Sequence, residues 1–239
     1  SEKIMKILKG KAETLVDLSI YRKLVDKTFQ LEMKRGKVPL PSVESYYMID
    51  QAVGYLKVNR FSQTTFEEFD LALEDLLSKG MENLILDLRN NPGGYLIPAK
   101  QISNAFLGKD QTIVITQSNM GVEEKSTAEG DGRFQEGGLI VLVNEQSASA
   151  SEIVAGAIQD NDRGWIIGRR TFGKGLVQQQ MPLGGGDAVR LTIAKYFTPT
   201  GRSIQKPYDG NREAYFEDLS NRYHRGEMAD ANKIPVIDS

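Results

Sequence analysis

The chain of 239 residues carries 30 Lys+Arg against 32 Asp+Glu, a formal net charge of −2, with 40% hydrophobic and 26% charged residues. That composition supports a sizeable core and is too balanced in charge for a nucleic-acid or anionic-membrane partner. Cysteine is absent and the one histidine is His224, which excludes thiol nucleophiles, Cys-ligated metal, disulfides and two-histidine metal sites. A hydrolase built on this chain must run on that single histidine or without one. The longest aliphatic run, Leu139-Ile140-Val141-Leu142-Val143, is too short for a membrane span, and no signal-peptide pattern follows Ser1.

In chain order, a short basic helix is expected over Ile4–Gly10, then two alternating segments, Thr14–Tyr21 and Thr28–Lys34. One helix and two strands cannot bury a core of their own, so residues 1–36 read as a fragment of something larger. Lys37-Val38-Pro39-Leu40-Pro41 reads as a stiff, extended linker. A βαβ pattern follows. Val53–Val58 is a strand, Thr65 with Glu68 forms a capping box, and Phe66, Phe69, Leu73, Leu76 and Leu77 make one helical stripe that stops at Gly80. Leu84–Leu88 is a buried strand, Asn90–Gly94 a turn, Ile97–Leu107 a helix, Thr112–Thr116 a strand and Ser118–Glu136 a polar loop. The strand Leu139–Val143 runs into Ser147–Glu152, which opens a helix ending near Asp160. Past Trp165–Gly168, two alternating strands, Leu176–Met181 and Ala188–Tyr196, are joined across Gly184-Gly185-Gly186. The rest is polar and charged, a surface helix and a loose end. The expected class is α/β with mixed sheet pairing and packed helices, organised as 1–36, 37–209 and 210–239.

Two apparent motifs fail on chemistry. Gly168–Gly175 nearly spells a phosphate-binding loop, but Gly175 offers no hydroxyl and a strand follows where a helix N-terminus is required. Ser203-Ile204-Gln205-Lys206 fits SxxK without its partner tripeptides and lies among prolines and glycines. Ser147-Ala148-Ser149-Ala150-Ser151 is different, because small residues at a strand-to-helix junction can present a nucleophile to the positive end of a helix. The competing reading is structural, since Ser149 with Glu152 is itself a capping box. Lys174 sits in a stretch without acidic residues from Arg163 to Leu183. Burial disfavours a charged amine, and a neutral lysine can take a serine proton; the plain alternative is an exposed loop lysine. Gln178, four residues on, shares a strand face with Lys174 if period two holds, and could orient its amine. The glycines of Asn90-Asn91-Pro92-Gly93-Gly94 permit close backbone approach, as an oxyanion hole requires, though a plain turn needs them as well.

Together, Leu86-Asp87-Leu88-Arg89-Asn90-Asn91-Pro92-Gly93-Gly94, Val141-Leu142-Val143-Asn144 with Ser147–Glu152, and Thr171-Phe172-Gly173-Lys174-Gly175-x-Val177-Gln178 resemble the C-terminal processing (tail-specific) peptidases. The match runs in order from about Leu40 to Pro207. The resemblance implies a core related to the crotonase and Clp-protease folds and a Ser–Lys dyad. By motif, Ser149 is the nucleophile, Lys174 the base and Gln178 its support, with an oxyanion hole from the N–H groups of Gly94 and Ala150. It implies protein or peptide substrates read near their C-termini, a periplasmic or secreted setting, and no metal or cofactor. Residues 1–36 resemble only the last helix and strands of a PDZ domain, without its carboxylate-binding loop. The alternatives are a catalytically silent peptide-binding module on the same fold, or an acyl-CoA enzyme, for which the sequence offers neither an acidic base nor an adenine-nucleotide site.

Overall fold

The computed structural model describes residues 2–36, 40–208 and 212–234, so most of the expected linker over 37–41 lies outside the described residues. The chain divides into two units, Ser1–Leu40 and Pro41–Ser239. In the first, helix α1 (Glu2–Leu8) precedes an antiparallel hairpin of β1 (Leu15–Arg22) and β2 (Lys27–Lys34). Arg35 ties helix to hairpin, its guanidinium donating to the carbonyls of Ile7, Leu8 and Leu15. No described side chain of this unit is buried.

The second unit is built on a five-stranded sheet in the order β3 (Val43–Met48), β4 (Val53–Val58), β5 (Asn83–Asp87), β8 (Gly138–Val143), β9 (Trp165–Gly168). The pairs β4/β5, β5/β8 and β8/β9 are parallel, and only β3 runs against its neighbour. One face is apolar and covered: Leu56, Val58, Leu84, Leu86, Leu139, Val141 and Val143 share a core with residues of α2 (Thr65–Ser78), α3 (Leu96–Asn104) and α4 (Ala150–Asp160). The α2 stripe is as the periodicity predicts, with Phe69, Leu73 and Leu76 buried. Helix α4 is buried from Ala150 to Ile158, which is why it reads as apolar and small along its whole length. A second, antiparallel sheet has the order β10 (Leu176–Gly184), β11 (Asp187–Phe197), β6 (Thr112–Ser118), β7 (Glu123–Thr127). The architecture is therefore α/β with mixed sheets and packed helices. Helix α5 (Arg212–His224) follows. Among the described residues, no helix is long and apolar enough to cross a membrane.

Two local expectations give way, and one strand falls where no sequence signal pointed to it. The Thr65–Glu68 capping box does not form: the helix begins at Thr65, whose hydroxyl accepts the Ser62 N–H, and the Glu68 carboxylate instead takes the N–H groups of Ser42 and Val43. Tertiary donors from the start of β3 outcompete the local cap. Two strands escape the sequence patterns as well. Strand β3 is a mostly exposed edge with aromatic Tyr46 and Tyr47, and β7, Glu-Glu-Lys-Ser-Thr, lies inside the expected polar loop as a solvated edge strand.

Candidate active site

Parallel strands direct their following loops to one end of a sheet, and ligands characteristically bind there. Here three loops meet beyond the ends of β5, β8 and β9: 88–94, 144–149 and 169–175. The first two are sewn together by buried polar groups. Ser147 Oγ accepts the Asn144 N–H at 2.9 Å and donates to the Leu88 carbonyl at 2.8 Å. Ser151 Oγ donates to the Asn91 carbonyl at 3.0 Å, and the Ala148 N–H to the same oxygen at 3.0 Å. Asn144 and Asn90 exchange reciprocal bonds, side-chain amide to side-chain oxygen at 2.7 Å and Asn90 N–H to Asn144 Oδ1 at 2.9 Å. Of the three serines, Ser147 and Ser151 are fully buried and only Ser149 keeps solvent access. Ser147→Ala should therefore be a stability variant. It strands the Asn144 N–H in the interior and leaves the Leu88 carbonyl only the longer bond from the Asn91 N–H, at a cost of about 2 kcal/mol, measurable as a lowered denaturation midpoint.

Ser149 itself has φ 56° and ψ −114°, outside the extended geometry an N-cap serine ordinarily adopts. Such a conformation at a non-glycine residue costs roughly 1–3 kcal/mol and must be imposed by its surroundings. Glu152 helps impose it. Its buried carboxylate accepts four donors: Oε2 takes the backbone N–H of Ser149 and that of Lys174, each at 2.8 Å. Oε1 takes the Thr171 hydroxyl at 2.7 Å and the Gly173 N–H at 2.6 Å. Burial pushes the Glu152 carboxyl up, against four donors that all favour the carboxylate. The structural half of the Ser149–Glu152 pairing and a wider role thus coexist: the glutamate that caps α4 also fixes the Lys174 loop, 22 residues further on. The sequence shows Glu152 only as a capping partner, because its other ligands arrive through the fold.

Lys174 lies in irregular chain just before β10 and is half-buried. Among the described residues its amine has no hydrogen-bond or ion-pair partner. The outer side of its loop is held by the next segment of chain, where the Gly175 N–H donates to Gln205 Oε1 at 3.0 Å and the Lys206 N–H to the Gly173 carbonyl at 3.0 Å. Lys206, of the discarded SxxK match, lies over the rings of Phe172 and Tyr215 at 4.5 and 4.1 Å, while Ser203 is exposed. Gln178 is placed differently from the period-two argument. Lys174 precedes the strand, and an irregularity between Val177 and Gln178 resets the alternation, leaving Gln178 exposed in its pairing with Thr192. His224 lies exposed in α5, its Nδ1 at 2.8 Å from the Ser220 carbonyl.

The glycine turn presses onto the serine. A Cβ on Gly93 would fall 2.5 Å from the Ala148 oxygen and 2.9 Å from the Ala150 nitrogen, and one on Gly94 would fall 2.0 Å from the Phe61 oxygen. Only glycine permits this approach. The Gly93 N–H is turned to Asn91 Oδ1 at 2.9 Å, whereas among the described residues no acceptor takes the N–H of Gly94 or Ala150. A groove of about 480 Å³ also opens at these strand ends, between Lys57, Arg89 and Arg169, but neither Ser149 nor Lys174 lines it.

Beneath the turn, fully buried Asp87 accepts from the Arg89 guanidinium at 2.7 and 2.9 Å, from the Arg89 N–H and from the Tyr55 hydroxyl at 2.6 Å. Burial alone would raise its carboxyl, but these donors outweigh it and hold Asp87 below the usual carboxylate range. The same burial and the Asp87 charge push the Tyr55 phenol up to about 12. A depressed carboxyl stabilises the fold fully above its unfolded value and loses that contribution as pH falls through the folded one. Asp87→Asn should thus cost about 2 kcal/mol at neutral pH. The gap to wild type should begin to narrow below about pH 4 and keep shrinking in denaturation curves taken at still lower pH.

Comparison with known proteins gives the family and the fold. The profile of peptidase family S41 matches residues 52–210, and the chain belongs to that family. It is 40% identical over 206 residues to the carboxy-terminal-processing protease of Bartonella bacilliformis, covering 83% of this chain and 46% of that protein. It is 37% identical over 233 residues to the carboxy-terminal processing protease CtpA of Bacillus subtilis, covering 98% of this chain and 47% of that one. The chain thus spans about half the length of these relatives. Among solved structures it is similar to a photosystem II D1 C-terminal processing protease, with a TM-score of 0.63 and 31% identity over 82% of this chain and 54% of that one.

Proposed function

We propose that this chain carries the catalytic centre of a serine endopeptidase that cleaves proteins near their C-termini. Ser149 Oγ attacks the scissile carbonyl as the Lys174 amine takes its proton, and the N–H groups of Gly94 and Ala150 receive the developing oxyanion. The carbon–nitrogen bond then breaks, with Lys174 returning the proton to the leaving amine. Water attacks the acyl-enzyme by the same route and frees Ser149. For Gln178 the support is the family resemblance alone: its side chain is exposed on β10 and would have to turn back to reach the amine. The observation that carries this reading is the Glu152 carboxylate, one of whose oxygens accepts the N–H of both Ser149 and Lys174. It ties the backbone of a strained, accessible serine and that of an unpartnered lysine to one oxygen, which supports pairing the two in catalysis. The family resemblance supports protein substrates and a periplasmic or secreted setting.

The test is incubation of the full chain with an unstructured protein, with products read by mass spectrometry. The proposal expects internal cuts that accumulate toward the substrate's C-terminus. An intact substrate that nevertheless binds would instead assign the fold to a silent peptide-binding module.

A further inference from the structure

The polar composition after residue 209 conceals the largest fully buried side chain among the described residues, Arg222, 1% exposed. It projects from α5 onto the loop that carries Lys174. Its Nη2 donates to the Arg170 carbonyl at 2.7 Å and its Nη1 lies 3.4 Å from the Thr171 carbonyl. Its Nε donates to Glu227 at 2.7 Å. Glu227, itself 4% exposed, also accepts Arg170 at 3.1 and 3.2 Å, so both guanidinium groups converge on one carboxylate. Thr171 is consequently gripped from two sides, its carbonyl by Arg222 and its hydroxyl by Glu152, which also holds the Lys174 N–H. Residues 170–175 form no helix or strand that would otherwise fix them. A planar fork that bonds two successive carbonyls while tethered to a buried acid is a device for holding backbone in place, and a lysine cannot reproduce it.

We propose that Arg222 is a positioning residue for Lys174: through the carbonyls of Arg170 and Thr171 it fixes the loop whose far end presents the base. The consequence for turnover rests on the Ser149–Lys174 reading, and the position of the loop does not. Arg222 touches no reacting group, so its loss should act on turnover rather than on substrate binding.

The experiment uses the full chain with the paired substitution Arg222→Met and Glu227→Gln, which removes both fully buried charges together and leaves the partly exposed Arg170 its more distant partner Asp218 at 4.0 Å. Hydrogen exchange of the Gly173 and Lys174 amides should accelerate by about tenfold or more while the melting transition persists. In the same protein kcat should fall about 100-fold with KM nearly unchanged, as expected for a catalytic group displaced by about an ångström. If the melting transition is lost, Arg222→Lys, which keeps the charge but not the fork, is read in the same two ways. A folded variant with wild-type exchange at both amides, or with wild-type kcat, overturns the proposal. A wild-type chain that cleaves nothing overturns the peptidase reading instead, and the exchange rates still decide what holds the loop.

Discussion

Ser149→Ala is expected to abolish cleavage, by roughly four to six orders of magnitude, with a denaturation midpoint close to wild type. The buried serines on either side make the contrast sharp. Ser147 and Ser151 anchor the turn to the Leu88 and Asn91 carbonyls, so removing either hydroxyl costs stability first. The contribution of Ser149 to the fold passes through its backbone N–H and Glu152, which alanine retains. If Ser149 were only an N-cap, its replacement would cost about 1 kcal/mol and leave activity in place. Measuring both quantities on the three alanine variants separates nucleophile from scaffold. Loss of activity in the Ser147 or Ser151 variant, with Ser149→Ala active, would name the wrong serine.

Lys174→Arg should be nearly as inactive as Lys174→Ala, down by two to four orders of magnitude, although it preserves charge and length. Arginine does not give up its proton in a protein and cannot serve as the base. The substitution leaves the loop in place, because Lys174 is held through its backbone N–H by Glu152 and its flanking glycines are held by Gln205 and Lys206. Activity measured on a folded Lys174→Arg protein is therefore a reading of proton transfer alone. Wild-type turnover there would remove Lys174 from the mechanism.

What the sequence could reveal depended on how local each signal is. The α2 stripe, the aliphatic strands β5 and β8 and the small-residue junction at Ser147–Ser151 are written in periods of two to four residues, and each emerges in place. Local patterns misled where distant partners compete. Glu68 matched a capping box and bonds β3 instead, and the alternation from Lys174 to Gln178 is broken by a strand irregularity that period two cannot foresee. The second role of Glu152 was illegible for the same reason, since its donors at 171, 173 and 174 reach it only once β8 and β9 lie side by side. Arg222 was hidden more completely. A charged residue in a polar helix gives no sign of burial, and only the Arg170–Glu227 partnership explains it.

The claim that Ser149 is a nucleophile raised by this loop assembly is tested most directly by covalent capture. The full chain would be treated with a fluorophosphonate and the adduct located by peptide mapping, in wild type, Ser149→Ala and Lys174→Arg proteins shown to be folded. A single adduct on Ser149 in wild type, absent from Ser149→Ala and formed far more slowly in Lys174→Arg, is the expected result. A folded wild-type protein that leaves Ser149 unmodified, or one labelled equally fast with arginine at position 174, would contradict it.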